Sequence, residues 1–234
     1  MLQFKNFKIG FPVVILTIFL FLTVSSANAH QVWLERDADG LLRVYLGEPG
    51  VPDTGDKIDN LKGAHVFTKD RAELSVLSQK NDHWQGLVGP GDVRLHTDKV
   101  WKPWSISGNS SWWKFWDEEP EKLQGAILQA RAGRTETAAK LTYELVPVTT
   151  EGDIFIALFN GLPLAEQEVL LLSPSKQEVK LITDNNGKVN ATGLLIEQGR
   201  YVLESVHSVD VDAVHSGQKV SSLMYISTLS FVVN

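Results

Sequence analysis

Cysteine is missing from all 234 residues. That excludes disulfides and removes thiolate ligands, the soft donors that select zinc clusters or Cu(I). Methionine is nearly missing too. Only two are present, and Met224 is the single thioether after the initiator. Any metal held by this chain must therefore be bound mainly through nitrogen and oxygen. No Gly-x-Ser-x-Gly elbow and no Gly-x-x-x-x-Gly-Lys-Ser/Thr loop occurs, so the usual serine-hydrolase and phosphate-loop readings have no anchor. Basic excess is absent as well: 22 Lys and Arg stand against 28 Asp and Glu. An acidic balance disfavours nucleic acid and favours cations.

The first 29 residues contain no acid. Lys5 and Lys8 precede an apolar run from Ile9 to Val24, and the small-residue stretch Ser25-Ser26-Ala27-Asn28-Ala29 follows. This is the pattern of a secretory signal. The apolar run has 16 residues, short of the roughly 20 needed to span a bilayer. Cleavage after Ala29 would leave 205 residues, 20 basic and 28 acidic, because both lost charges are lysines. The expected compartment is the periplasm or the exterior. The new first residue would be His30.

A first-position histidine offers two nitrogens, its α-amine and the ring Nδ1, that close one compact chelate on a divalent metal. Both must shed protons first, with reference pKa values of about 7.7 to 8.0 and about 6.5, so binding should weaken in mild acid. An internal histidine has no such pair. The plain alternative is that His30 is merely what a small-x-small cleavage site happens to expose.

Downstream, short alternating runs separated by Gly, Pro, Asn and Asp predict strands. Gln31–Glu35 and Leu41–Leu46 form an expected hairpin around Asp37-Ala38-Asp39-Gly40, which would tether His30 at a sheet end. Residues 47–63 read as loop with at most a short helical turn. Further strands are expected over 64–68, 72–77, 83–88, 93–96, 125–131, 138–148, 154–159, 168–172, 177–183, 201–207 and 223–233. Asn160-Gly161 and Asp184-Asn185-Asn186-Gly187 mark turns. Trp101, Trp104, Trp112, Trp113 and Trp116 crowd into 16 residues. Such rings pack internally or form a sugar-stacking platform, and packing is the simpler reading. No long amphipathic helix is visible. The expectation is an all-β chain, an immunoglobulin-like or Greek-key β-sandwich in two β-rich modules over 30–140 and 141–234.

His207 alternates with Ser205, Leu203 and Tyr201, which places it at the rim of an inward-facing row. A loop expected over 208–222 brings Asp210, Asp212 and His215 nearby as possible ligands or orienting groups. His65, His83 and His96 are further candidates with no close pair at a helical spacing.

The start His30-Gln31-Val32-Trp33-Leu34-Glu35, directly after Ala29, resembles the DUF4198 family of exported proteins, which includes periplasmic components associated with nickel uptake. Arg43-Val44-Tyr45-Leu46-Gly47-Glu48 is similar to one branch of that family. So are Asn160-Gly161-Leu162-Pro163-Leu164-Ala165, Thr183-Asp184-Asn185-Asn186-Gly187-Lys188, Gly199-Arg200-Tyr201-Val202-Leu203 and Ser227-Thr228-Leu229-Ser230-Phe231. The loop 47–62 and the Trp-rich middle match no pattern of the family. The resemblance implies a β-sandwich that binds or delivers a transition metal. His30 matches the family's exposed first histidine, and His207 resembles a histidine that follows its Gly-x-Tyr strand.

The leading expectation is a non-catalytic carrier that captures Ni(II), or Cu(II), Co(II) or Zn(II), through His30, His207 and His215 and presents it to a membrane metal transporter. One rival is a copper-dependent oxidative enzyme using the same chelate. Another is a metal-free structural or carbohydrate-binding sandwich.

Overall fold

The computed structural model describes residues 30–68, 77–106 and 121–234. The expected signal segment, most of the strand expected at 72–77, and Trp112, Trp113 and Trp116 lie outside them. In chain order the strands are β1 Gln31–Arg36, β2 Leu41–Glu48, β3 Val51–Pro52, β4 His65–Phe67, β5 Ser78–Gln79, β6 Trp84–Leu87, β7 Val93–Thr97, β8 Trp104–Ser105 and β9 Leu123–Ala132. They continue with β10 Tyr143–Pro147, β11 Ile154–Phe159, β12 Leu162–Pro163, β13 Glu168–Leu172, β14 Glu178–Ile182, β15 Lys188–Asn190, β16 Gly199–His215 and β17 Gln218–Val233. A 3-10 helix at Gly55–Gly63 is the one helix among the described residues. No helix among those residues is long and apolar enough to cross a membrane.

The strands form three open sheets. The first has the order β1-β2-β6-β5 with β3 beside β2, and the third has β10-β11-β12 with β15 beside β11. The central sheet has eight strands, β14-β13-β16-β17-β9-β7-β4, with β8 beside β9. Its middle pair, β9 with β17, is parallel. Parallel neighbours cannot be joined by a tight hairpin. Here the chain leaves β9, builds the third sheet and comes back before β17 begins.

Side-chain alternation shows why the sheets stack. Val202, Glu204, Ile226, Thr228 and Ser230 belong to one face of the β16/β17 hairpin, while Tyr201, Leu203, Ser205, Leu229 and Phe231 belong to the other. The first face joins Leu128 and Ala130 of β9 against Val32, Leu34, Leu42, Val44 and Leu46 of the first sheet. The second packs on Tyr143, Leu145, Phe155 and Ala157 of the third. The central sheet is thus covered on both sides.

The immunoglobulin-like or Greek-key sandwich expected from the strand rhythm is not formed. A mixed β-rich fold with open sheets and one short helix takes its place, and none of the sheets closes into a barrel. The physical reason is the length and double burial of β16 and β17, 17 and 16 residues. Strands this long serve two separate apolar layers, where a two-sheet sandwich needs only one. The loop expected over 208–222 is instead the far end of this hairpin, closed by Ser216 and Gly217 at φ 49° and 78° between the pair His215 and Gln218. Two successive left-handed residues match the right-handed twist of the flanking strands. The boundary expected at 140–141 falls between β9 and β10, and strands from both sides of it enter the central sheet.

Two polar devices join the layers. Strand β1 is the edge of the first sheet, and a buried edge carbonyl needs a donor. Thr228 Oγ1 donates to Val32 O at 2.7 Å and Ser230 Oγ donates to Leu34 O. Each such bond is worth about 1 kcal/mol net, whereas burying a side chain such as Leu34 is worth about 1.5–3 kcal/mol. Apolar contact therefore supplies most of the adhesion, and the hydroxyls fix where β1 lands.

On the opposite face, Arg94 of β7 stands across from Arg131 of β9, both fully buried. Glu144 accepts from Arg94 Nε at 2.7 Å, from Arg131 Nη1 at 3.0 Å, and from the N–H of Leu141 at 2.9 Å. Asp92 accepts from Arg131, from the hydroxyl of Thr135 and from the N–H of Glu136. Glu136 in turn takes Arg94 Nη1 at 2.9 Å. Burial alone would push Asp92 up, but the Arg131 charge and these hydrogen bonds outweigh it and hold the carboxyl below its ordinary value.

Removing one partner of a buried ionic network strands the others, at about 3–5 kcal/mol. Glu144→Ala should lose stability on that scale in urea unfolding. Lys180→Ala, which removes an exposed pair with Glu168, should lose less than about 1 kcal/mol. A comparable loss in both variants would show that the network has no special weight.

Candidate functional site at the amino-terminal edge

His30 precedes β1, and its ring sits at the mouth of a cavity of about 310 Å³ bounded by Glu48, Val51, Pro52, Asp53, Thr54 and Lys57. Its side chain is 49% exposed, and Nε2 lies 3.4 Å from Asp53 Oδ2. Asp53 is mostly buried and also has Lys57 Nζ at 3.5 Å from Oδ1. The β2–β3 turn positions this carboxylate. Gly47, near the end of β2 at φ 122°, lies so close to the returning chain that a Cβ would come within 2.9 Å of Asp53 N. Any other residue would displace the strand end that carries Asp53.

The expected hairpin β1/β2 forms, in register from Gln31 opposite Gly47 to Arg36 opposite Leu42. It brings His30 to a sheet end beside Asp53. The remaining metal candidates lie elsewhere. His207 packs on Phe159 at 4.9 Å and Tyr143 at 5.8 Å between ring centroids, and burial pushes its pKa down. It belongs to the face of β16 that meets the third sheet, opposite the face that bears Glu204. His215 is buried at the end of β16, its ring lying where a Cβ on Gly125 would come within 2.7 Å, and its Nε2 has no hydrogen-bond partner among the described residues. Asp210 and Asp212 are exposed on the same strand.

His65 and His96 face one another across β4 and β7. His96 takes a 3.3 Å contact from Gln129, and its pKa is pushed down chiefly by burial. His83 is held between Asp82 and Gln85 and tilts against Tyr45. Among the described residues no three His, Cys, Asp or Glu side chains come together in a metal-sized group. Trp101 and Trp104 meet edge to face at 6.4 Å and pack against the first core.

Next to the His30 cavity, and sharing Glu48 and Val51 with it, is a second one of about 190 Å³ between the first sheet and the β13/β14/β16 end of the central sheet. Gln31, Glu178, Glu204 and Lys176 supply its other polar groups, and Leu170, Leu172 and Val202 its apolar wall. Gln31 Nε2 donates to Glu204 Oε2 at 2.6 Å. Burial pushes Glu204 up to about 7; the Gln31 bond opposes this, and the charges of Glu178 and Glu48 add to it.

The sequence reading named neither Gln31 nor Glu204 as a functional residue. Glu204 sits between Leu203 and Ser205 in an alternating strand, which is the ordinary pattern for a solvent-facing acid. Only the docking of β1 buries it.

No family model, no curated protein and no solved structure matches the chain.

A carboxyl raised in the fold keeps a proton that the unfolded chain has already released. Between the ordinary value near 4.5 and about 7, stability should therefore fall as pH rises, by an amount on the order of 1–3 kcal/mol, and then level off. Glu204→Gln removes this titration. Urea unfolding at pH 4.5, 6 and 8 should show the variant gaining on the parent as pH rises, and parallel curves would rule out a raised Glu204.

Proposed function

We propose that this chain is an exported carrier of divalent metal whose metal-binding group is the amino terminus exposed by cleavage after Ala29. The observation that supports this reading best is the approach of His30 Nε2 to Asp53. With Nε2 turned to a carboxylate, Nδ1 is the ring nitrogen left for the chelate, and the freed α-amine lies on the same residue. A carboxylate on the far nitrogen fixes the tautomer and ring orientation of a ligating imidazole. Asp53 is therefore a positioning residue and the amine and Nδ1 are the donors. Glu48, on the wall of the same cavity, adds negative charge nearby.

Nitrogen donors backed by carboxylate suit Ni(II) first in this proposal, with Cu(II), Co(II) and Zn(II) able to use the same atoms. His207 and His215 lie apart from this edge and take no part. Delivery to a membrane metal transporter is the role implied by the short resemblance at His30-Gln31-Val32-Trp33-Leu34-Glu35, a resemblance that no family model supports. An acidic mature chain agrees with cation capture. The packing of Trp101 and Trp104 on the first core gives no support to a sugar platform built from those two rings.

The test is calorimetric titration of Ni(II) into mature protein that begins at His30. One added alanine ahead of His30 keeps the imidazole and removes the chelate, so affinity should fall at least tenfold, or about 1.4 kcal/mol. Asp53→Asn should weaken binding by about 10-fold or more. Unchanged affinity in the alanine-extended protein would remove the terminus from any role in metal capture.

A further inference from the structure

We propose that the cavity beneath Gln31 and Glu204 is a binding site for a small primary ammonium compound carrying a short alkyl chain, separate from any metal held by His30. The site is built by three layers of contact. Gln31 is 5% exposed; its Nε2 is committed to Glu204, and its Oε1 has no hydrogen-bond partner among the described residues. An acceptor buried without a donor costs about 1–3 kcal/mol, and a ligand N–H would relieve that cost. Glu204 supplies a second acceptor at the same spot.

The remaining charges favour a cation. Glu48 and Glu178 join Glu204 in the lining, against the one ammonium of Lys176. Lys176 Nζ is drawn over Gly50, where a Cβ would be 2.5 Å away, and makes no ion pair among the described residues. One ammonium among three carboxyl groups leaves the lining acidic. The carboxylates are not gathered tightly enough to chelate, because no three acidic or histidine side chains form a metal-sized group among the described residues. An ammonium head needs only hydrogen-bond acceptors and a negative field, with no fixed coordination shell. Leu170, Leu172, Val202 and Val51 provide an apolar wall for the chain behind it. A volume of about 190 Å³ limits the guest to a few heavy atoms.

Binding is linked to protonation of Glu204, whose surroundings are Gln31 from β1, Glu48 from β2, Glu178 from β14 and Lys176 from the β13–β14 turn, with His30 beside the neighbouring cavity. A cation binds the ionised carboxyl, and burial keeps that carboxyl protonated up to about 7. The ionised fraction rises from about one tenth at pH 6 to about nine tenths at pH 8, so affinity should rise about tenfold.

The experiment titrates n-butylammonium chloride into the mature full-length chain, with n-butanol as the neutral analogue. The expected result is saturable n-butylammonium binding at pH 8, about tenfold weaker at pH 6, and no saturable n-butanol binding. Glu204→Gln should lower n-butylammonium affinity at least tenfold. Should that variant unfold, Glu178→Gln, an exposed position, should still weaken binding two- to threefold. Equal binding of the alcohol, indifference to both substitutions, or tighter competing binding of Ca²⁺ would each overturn the assignment. The alanine-extended protein, which lacks the terminal chelate, should bind n-butylammonium as the parent does, so failure of the metal reading and failure of this one are separable.

Discussion

The middle of the central sheet has protein on both of its faces, so the polar groups buried there must find their partners inside the molecule. Water cannot serve a residue such as Arg131 or Thr228, each at most 1% exposed, and a buried polar group left alone costs more than a hydrogen bond returns. Most of the internal architecture answers that demand. Thr228 and Ser230 spend their hydroxyls on carbonyls of β1. Tyr143 donates its hydroxyl to Ser205 at 2.6 Å, and its N–H bonds Gln129 at 2.8 Å. Arg94 and Arg131 draw Asp92, Glu136 and Glu144 around them and so fix the path from β9 into the third sheet. Each layer is positioned by what the middle layer needs from it.

The same demand is met unevenly on the β1 side. Gln31 answers Glu204 with one amide hydrogen-bonding group and leaves the other buried without a partner among the described residues. Its backbone has little room to adjust, because the next residue, Val32, is fixed by Thr228 and by an antiparallel pairing with Leu46. Gln31 Oε1 is one of five buried side-chain polar atoms left without a partner among the described residues, with Arg36 Nε, Arg134 Nε, His215 Nε2 and Ser227 Oγ, and it is the one that lines a cavity beside a raised carboxyl. Departures from local consistency tend to fall at functional or strained sites. The raised carboxyl of Glu204 and the adjoining cavity belong to one such departure.

Short-range signals in the sequence were read correctly where the physics is short-range. Asp37-Ala38-Asp39-Gly40 turns β1 into β2 as its composition implies, with Gly40 at φ 86°. Asp184 caps its own turn by accepting the N–H groups of Asn186 and Lys188. Misreading began where polarity was taken for exposure. Ser208-Val-Asp-Val-Asp-Ala-Val-His215 alternates as a strand should, yet it falls in the stretch expected as loop, and nearly half of β16 was missed. Arg94 and Arg131 alternate with apolar neighbours as on a half-solvated strand, although a third layer covers them. The parallel pairing of β9 with β17 leaves no local trace, since its register comes from two cores filling at once. His30 is singled out by the small-residue stretch before it, and His207, with His215 after it, by strand alternation and the resemblance, and strand alternation cannot say which face of a doubly covered sheet a side chain meets.

Anchoring also bears on why the amino terminus is suited to chemistry. A terminal residue ordinarily frays, and a chelate formed on it must first lose that freedom, at about 1–2 kcal/mol for the backbone alone. Here the loss is already covered by folding. Gln31 is buried against Glu204, Trp33 stacks on Tyr45 at 4.9 Å, and β1 is stitched to the central sheet two residues on. His30 is the first position past these constraints, close enough to inherit their rigidity and exposed enough to meet a solute. On the proposed cleavage after Ala29, moving the cut by a single residue in either direction would forfeit one of those two properties, so the proposed chelate depends on where His30 stands relative to β1 as well as on its chemistry.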